Sequence, residues 1–312
     1  MKKICYLFPG QGAQYVGMGK DLYDNCQQAK GVFEEVETIL PDVDIKKLCF
    51  EGPIEELIRT ANSQVAMLVV SVAALEAFNY RVKGEGWRVE PVSCAGLSLG
   101  ELTALVASGS IEFKDAVRLV RRRGELMEDA SVKNPGDMAS IIGLSIEDLK
   151  KICSEVGSEI ANLNCPGQTV ISGTKEAIQA AIELAGKKGA KKSIRLNVSG
   201  PFHSSLMKGA ADLFREELKN IKFSPPSIRV ISNVTADYES SPEGIKENLV
   251  KQLYSPVRWE ESIRMIAAQG LDTFFEIGPG KVLKGLLRRI DPGLKVYNIE
   301  KMGDIDYLKS QI

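Results

Sequence analysis

Ser98 is the residue whose setting speaks most directly of chemistry. It lies in Gly96-Leu97-Ser98-Leu99-Gly100, a match to G-x-S-x-G. Glycine at both flanks permits a sharp turn between a strand and a helix. Such a turn exposes the serine in a strained conformation and aims the next backbone N–H at a developing oxyanion. The string alone is weak, so its surroundings decide. Pro91 to Ala95 before it is predicted as a strand, and Gly100 to Ser108 after it as a helix. A structural serine in a tight turn is the competing reading.

A serine hydroxyl needs a proton acceptor to become nucleophilic near neutral pH. Histidine occurs once in the chain, at His203. Any imidazole base is therefore this residue. It lies in Ser199-Gly200-Pro201-Phe202-His203-Ser204-Ser205, a loop placed to project into a cleft between domains. A satisfied surface histidine is the bland alternative. Serine before histidine is also the chain order of α/β-hydrolase-like enzymes. Their acid falls between the two, where Asp115, Asp129, Asp137 and Asp148 lie, none at a predicted strand end. An amide or a backbone carbonyl is therefore expected to orient the imidazole. Activity is expected to fall as pH drops through a single group near about 6.5.

Arg123 is the third candidate. On a helix predicted from Phe113 to Ala130, Ala116, Val120, Arg123 and Met127 share one apolar face, while Arg118, Arg121 and Arg122 point away. A charge in that stripe needs a partner. A structural carboxylate or a snorkelling side chain would satisfy it. So would a substrate carboxylate gripped by the planar fork of the guanidinium.

The elements that must hold these residues follow from hydrophobic periodicity. Ile4 to Phe8 is a short apolar run ended by Pro9-Gly10-Gln11-Gly12, hence a buried strand and a tight loop. That loop could supply a second oxyanion donor. Helices are predicted at 18–39, 54–60 and 64–79. The middle of the chain then changes to a β-α-β-β-α-β order, with strands at 138–144, 159–163, 169–172 and 193–198 and helices at 146–156 and 175–188. Later strands are predicted at 229–233, 273–277 and 295–299, and later helices at 204–221, 245–253, 259–269 and 281–290. The expected fold class is α/β, a hydrolase-like, mostly parallel sheet core covered by helices, with an inserted ferredoxin-like α+β subdomain. The large catalytic domain is expected to comprise 1–130 and 201–312, and the inserted subdomain 131–200.

Composition narrows the function. Forty basic residues against 41 acids give a net charge of −1, so no global charge favours nucleic acid or a membrane surface. One histidine excludes a metal site needing two in one chain, and the six cysteines form no C-x-x-C pair. Gly10-Gln11-Gly12 starts a dinucleotide fingerprint that fails at Tyr15. Gly278-Pro279-Gly280 opens a helix and is expected to be a simple turn rather than a phosphate site. The run Val65 to Phe78 is expected to be a buried helix too short to span a bilayer. With only five apolar residues, Ile4 to Phe8, after Met1-Lys2-Lys3, a cytoplasmic location with reduced thiols is expected.

Taken together these segments resemble the malonyl-CoA:acyl carrier protein transacylases of bacterial fatty acid synthesis. The matching pieces are Phe8-Pro9-Gly10-Gln11-Gly12-Ala13-Gln14, Gly96-Leu97-Ser98-Leu99-Gly100-Glu101, Arg123-Gly124 and Asn162-Leu163-Asn164-Cys165-Pro166-Gly167-Gln168. Gly200-Pro201-Phe202-His203-Ser204, Gln252-Leu253-Tyr254-Ser255-Pro256-Val257 and Glu276-Ile277-Gly278-Pro279-Gly280 complete them, in order along nearly the whole chain. The resemblance implies ping-pong transfer of malonyl through an ester on Ser98, with His203 as general base and then acid. It implies backbone N–H groups of Gln11 and Leu99 as the oxyanion hole, and Arg123 on the malonyl carboxylate. It places Gln252 near Ser98 and His203, helping to position the imidazole, and Met127 and Asn162 along the acyl pocket. Malonyl-CoA and acyl carrier protein are the implied partners, with CoA and phosphopantetheine as substrate carriers, no cofactor and no metal; a monomer is expected, although the sequence leaves the oligomeric state open. Leu97 departs from the family, where histidine commonly precedes the nucleophile. Phe202 before His203 resembles the malonyl-selective pattern of related polyketide acyltransferases. A serine esterase or lysophospholipase would share the elbow and base, and a non-catalytic carrier-binding module would not need them. Two basic groups are candidates for docking an acidic carrier: Lys187, Lys188, Lys191 and Lys192, or Lys281, Lys284, Arg288 and Arg289.

Overall fold

A computed structural model describes residues 1–311. Nine strands occur among them: β1 Lys2–Phe8, β2 Val89–Gly96, β3 Gly136–Ile142, β4 Glu159–Cys165, β5 Gln168–Thr174, β6 Lys192–Arg195, β7 Arg229–Val230, β8 Thr273–Ile277 and β9 Lys295–Ile299. Five form a parallel sheet in the order β7-β2-β1-β8-β9. β1 from Ile4 onward and the whole of β8 are buried because helices cover both faces of a parallel sheet. The other four form an antiparallel sheet, β4-β5-β3-β6, backed by the helices Ile146–Val156 and Lys175–Lys187. The fold is thus the expected parallel α/β core with a small α+β sheet.

The longest helix, Thr60–Glu85, begins earlier and ends later than the predicted 64–79. At 26 residues its length and composition would suffice to cross a bilayer, which corrects the expectation that this segment is too short. It is apolar on all sides because it is a core helix, and the fold buries 72% of its most apolar window. Several boundaries also shift. The predicted helix 18–39 is two, Lys20–Asn25 and Gln27–Ile39, split at Cys26, whose backbone is extended. The strand predicted at 193–198 ends at Arg195, and the one at 229–233 ends at Val230. Helices at Ile45–Phe50 and Met302–Lys309 were not anticipated.

Two close approaches set the geometry of the site. The C-terminal ends of β1 and β2 lie side by side, with Phe8 paired to Gly96 and the Leu97 N–H donating to the Phe8 carbonyl at 3.1 Å. A Cβ on Gly100 would overlap that same carbonyl, so the helix Leu99–Ala107 can start this near the sheet only with glycine there. Likewise a Cβ on Gly124 would strike the backbone of Ala61, so the helix Phe113–Lys133 can lie tightly against Thr60–Glu85. The small sheet closes over this edge through β4. The Leu163 N–H donates to the Val257 carbonyl at 2.9 Å, and the Val257 N–H to the Ala161 carbonyl at 2.8 Å.

Candidate active site

Ser98 stands between β2 and the helix Leu99–Ala107 with φ 51° and ψ −102°, the strained elbow expected from its flanking glycines. The Asn233 side-chain carbonyl accepts the Ser98 N–H at 2.6 Å, and the Asn233 amide donates to the Gly96 carbonyl at 2.7 Å. One asparagine therefore pins both arms of the turn.

His203 also has a positive φ, 59°. Its backbone N–H donates to the Leu253 carbonyl at 3.1 Å, and its Nδ1 lies 2.7 Å from the Gln252 carbonyl oxygen. Both acceptors lie at the C-terminal end of the helix Pro242–Gln252, where carbonyls lack partners in the next turn. A carbonyl only accepts, so Nδ1 carries the proton and Nε2 presents its lone pair. Nε2 is 2.9 Å from Ser98 Oγ. The orienting group is thus a backbone carbonyl, one of the two alternatives foreseen.

Burial, and then the positive charge of Arg123, push His203 down from 6.5 to about 4, against the hydrogen bonds to Gln252 and Ser255. This corrects the expectation of titration near 6.5. The imidazole is neutral, and able to accept a proton, down to about pH 4. Single-turnover acylation measured across the acid range should therefore stay level through pH 6.5 and fall only as pH approaches about 4. A midpoint near 6.5 would contradict this environment. The same shift affects stability. Between the unfolded value of 6.5 and the folded value of about 4, the unfolded chain binds more protons, so stability declines as pH falls across that window.

Arg123 is 1% exposed, on the buried face of its helix. Its Nη1 donates to the Gln64 side-chain carbonyl at 2.7 Å. Its Nη2 donates to the Gln252 side-chain carbonyl at 2.8 Å and to Ser98 Oγ at 3.2 Å. Nε has no partner, and among the described residues no carboxylate pairs with the guanidinium. Burial lowers its pKa only to about 10, so it remains a cation near neutral pH. A structural salt bridge is therefore not its partner.

Ser98, Leu99, Arg123, Met127, Asn162, His203 and Gln11 line one cleft, together with Leu97, Phe202, Val282 and Leu286. Gln252 is fully buried behind it and holds the Ser98 carbonyl with its Nε2 at 3.1 Å. Its side chain thus serves Arg123 and the elbow, while its backbone serves His203. Leu99 is the first residue of its helix, so its N–H is one that the helix leaves unsatisfied. Asp115, Asp129, Asp137 and Asp148 make no hydrogen bond to His203. At Gly278-Pro279-Gly280 the N–H groups of Gly278 and Gly280 go to Ile299 and Glu300. The Glu276 carboxylate takes the N–H groups of Leu283 and Lys284 at the helix start, so the segment is a closed turn.

Three buried polar residues of the site have no role assigned from the sequence: Gln64, Asn233 and Glu101. Each carried a faint signal. Gln64 precedes the apolar run of the core helix, Asn233 closes a predicted strand, and Glu101 interrupts the apolar LGELTALVA.

Residues 5–300 match the model of the acyl transferase domain family. The malonyl CoA-acyl carrier protein transacylase of Bacillus subtilis (strain 168) is 49% identical over 300 residues, covering 95% of this chain and 92% of that protein. The enzyme of the same name from Staphylococcus aureus (strain MRSA252) is 41% identical, with 98% of each chain covered. Among solved structures, an acyl-carrier-protein S-malonyltransferase from Bartonella henselae superposes with a TM-score of 0.93 at 40% identity, covering 100% of this chain and 99% of that one. A malonyl-transacylase in complex with its type II PKS acyl-carrier protein gives 0.94 at 39% identity, covering 100% of both chains.

Proposed function

Since the chain belongs to the malonyl CoA-acyl carrier protein transacylase family of acyltransferases, we propose that it moves malonyl from malonyl-CoA to the phosphopantetheine thiol of acyl carrier protein through an ester on Ser98. One observation supports this above others. Ser98 Oγ sits between a neutral imidazole nitrogen at 2.9 Å and a buried guanidinium nitrogen at 3.2 Å that lacks a carboxylate. The base activates the hydroxyl, and the cation selects an acyl group bearing its own negative charge.

In the first half-reaction Ser98 Oγ attacks the thioester carbonyl while His203 Nε2 takes its proton. The N–H groups of Leu99 and Gln11 receive the oxyanion. As the C–S bond breaks, His203 returns the proton to the CoA sulfur. In the second, His203 takes the proton of the carrier thiol, the sulfur attacks the malonyl ester, and Ser98 leaves with that proton. Arg123 holds the malonyl carboxylate throughout, and Met127 and Asn162 bound the acyl pocket. CoA and phosphopantetheine serve as substrate carriers, and no step calls for a metal or a cofactor.

Carrier docking is assigned to Lys281, Lys284, Arg288 and Arg289. Lys281 caps the helix Val282–Ile290 that carries the other three, and this helix contributes Val282 and Leu286 to the cleft. Burial first, and then the neighbouring charges of Arg288 and Lys281, push Lys284 below its ordinary value.

The lifetime of the acyl-enzyme tests transfer against hydrolysis. The malonyl ester should persist when no thiol is present and vanish within a turnover once carrier protein is added. Rapid release of free malonate without thiol would identify a hydrolase instead.

A further inference from the structure

We propose that Glu101 is a positioning residue for the transfer: its carboxyl group locks the Gln252 amide and Asn233 behind Ser98, and so keeps Arg123 aligned with the nucleophile. This rests on the malonyl-transfer reading above.

Glu101 is fully buried as the one charged residue of a largely apolar helix, and among the described residues no lysine or arginine forms a salt bridge with it. A leucine there would avoid the desolvation penalty of a buried carboxyl group. Its Oε2 accepts from Gln252 Nε2 at 2.7 Å and from the Asn233 backbone N–H at 2.9 Å. Both partners continue to Ser98. Gln252 Nε2 also donates to the Ser98 carbonyl at 3.1 Å, and the Asn233 side chain accepts the Ser98 N–H at 2.6 Å.

The arrangement determines which way the Gln252 amide faces. Its NH2 group meets two acceptors, Glu101 and the Ser98 carbonyl, and its oxygen is left for Arg123 at 2.8 Å. A flipped amide would turn an NH2 toward the guanidinium and an oxygen toward two oxygens. Glu101 Oε1 has no partner, so Oε2 keeps its two acceptor roles whether or not Oε1 carries a proton. Burial and the neighbouring Glu239 push this carboxyl up to about 8, which fits such a proton.

The test measures kcat/KM for malonyl-CoA and acetyl-CoA in the same preparations. Glu101→Met keeps the size and removes the acceptor, and Glu101→Asp withdraws it by one methylene. Each should lower the malonyl-to-acetyl ratio about tenfold or more, the effect of losing the charge-assisted hydrogen bond from Arg123 to the Gln252 amide that Glu101 no longer holds in place. Glu101→Gln still offers an oxygen to both donors and should recover most of that ratio. A merely structural role would lower both substrates together. An unchanged ratio in Glu101→Asp, or in Glu101→Met where it folds, overturns the proposal. A wild-type chain that transfers no malonyl would instead fail the function itself.

Discussion

Replacing His203 with alanine should slow acylation of Ser98 by roughly 10⁴-fold, at the upper end of what a positioned general base contributes. The upper end applies because this is the only histidine in the chain, so no second imidazole can substitute. The side chain is also preorganised. Its Nδ1 proton goes to the Gln252 carbonyl at 2.7 Å, and its Nε2 faces Ser98 Oγ at 2.9 Å. Residual activity would come from binding and the oxyanion donors. Single-turnover acylation with a thermal-unfolding control reads the effect. A loss below about tenfold in a folded variant would exclude His203 as the base.

Arg123→Ala should separate two substrates. A guanidinium gripping the malonyl carboxylate makes two charge-assisted hydrogen bonds, each worth roughly 1.5–3 kcal/mol. Losing both should lower malonyl kcat/KM by about 10²–10⁴-fold. Acetyl-CoA has no such carboxylate, and its slower transfer should change far less. The substitution also strips Gln64 and Gln252 of the cation they now hold, at 2.7 and 2.8 Å. That structural loss falls on both substrates alike, so the ratio isolates the clasp. Equal losses for malonyl and acetyl would refute it.

These residues were legible in the sequence because local rules mark them. The glycine spacing marks Ser98, the histidine count isolates His203, and helical periodicity turns Arg123 inward. The parallel core and the β-α-β-β-α-β segment were legible from alternating patterns of the same kind. What joins the site was not. Asn233 lies 135 residues from Ser98, and Gln252 lies 129 from Arg123, so their pairing exists only after the strands and helices assemble. The descent of His203 from 6.5 to about 4 has the same origin, since burial and the charge of Arg123 are tertiary facts. The core helix was underestimated for a related reason. Thr60, Ser63 and Gln64 break the apolar pattern yet are buried.

The network also gives Leu97 a limited consequence. Leu97 is half-buried, lines the cleft beside Ser98, and packs with its neighbours as an apolar side chain. The contacts that hold Ser98, His203 and Arg123 together pass through Asn233, Gln252 and Gln64 instead. A leucine before the nucleophile is therefore compatible with an intact catalytic pair.

The central claim is a covalent malonyl ester on Ser98, and intact-mass measurement after brief incubation with malonyl-CoA tests it most directly. The account predicts a mass increase of one malonyl group on the wild-type chain, lost on addition of carrier protein and absent from Ser98→Ala. No adduct on the wild type, or an undiminished adduct on Ser98→Ala, would contradict it.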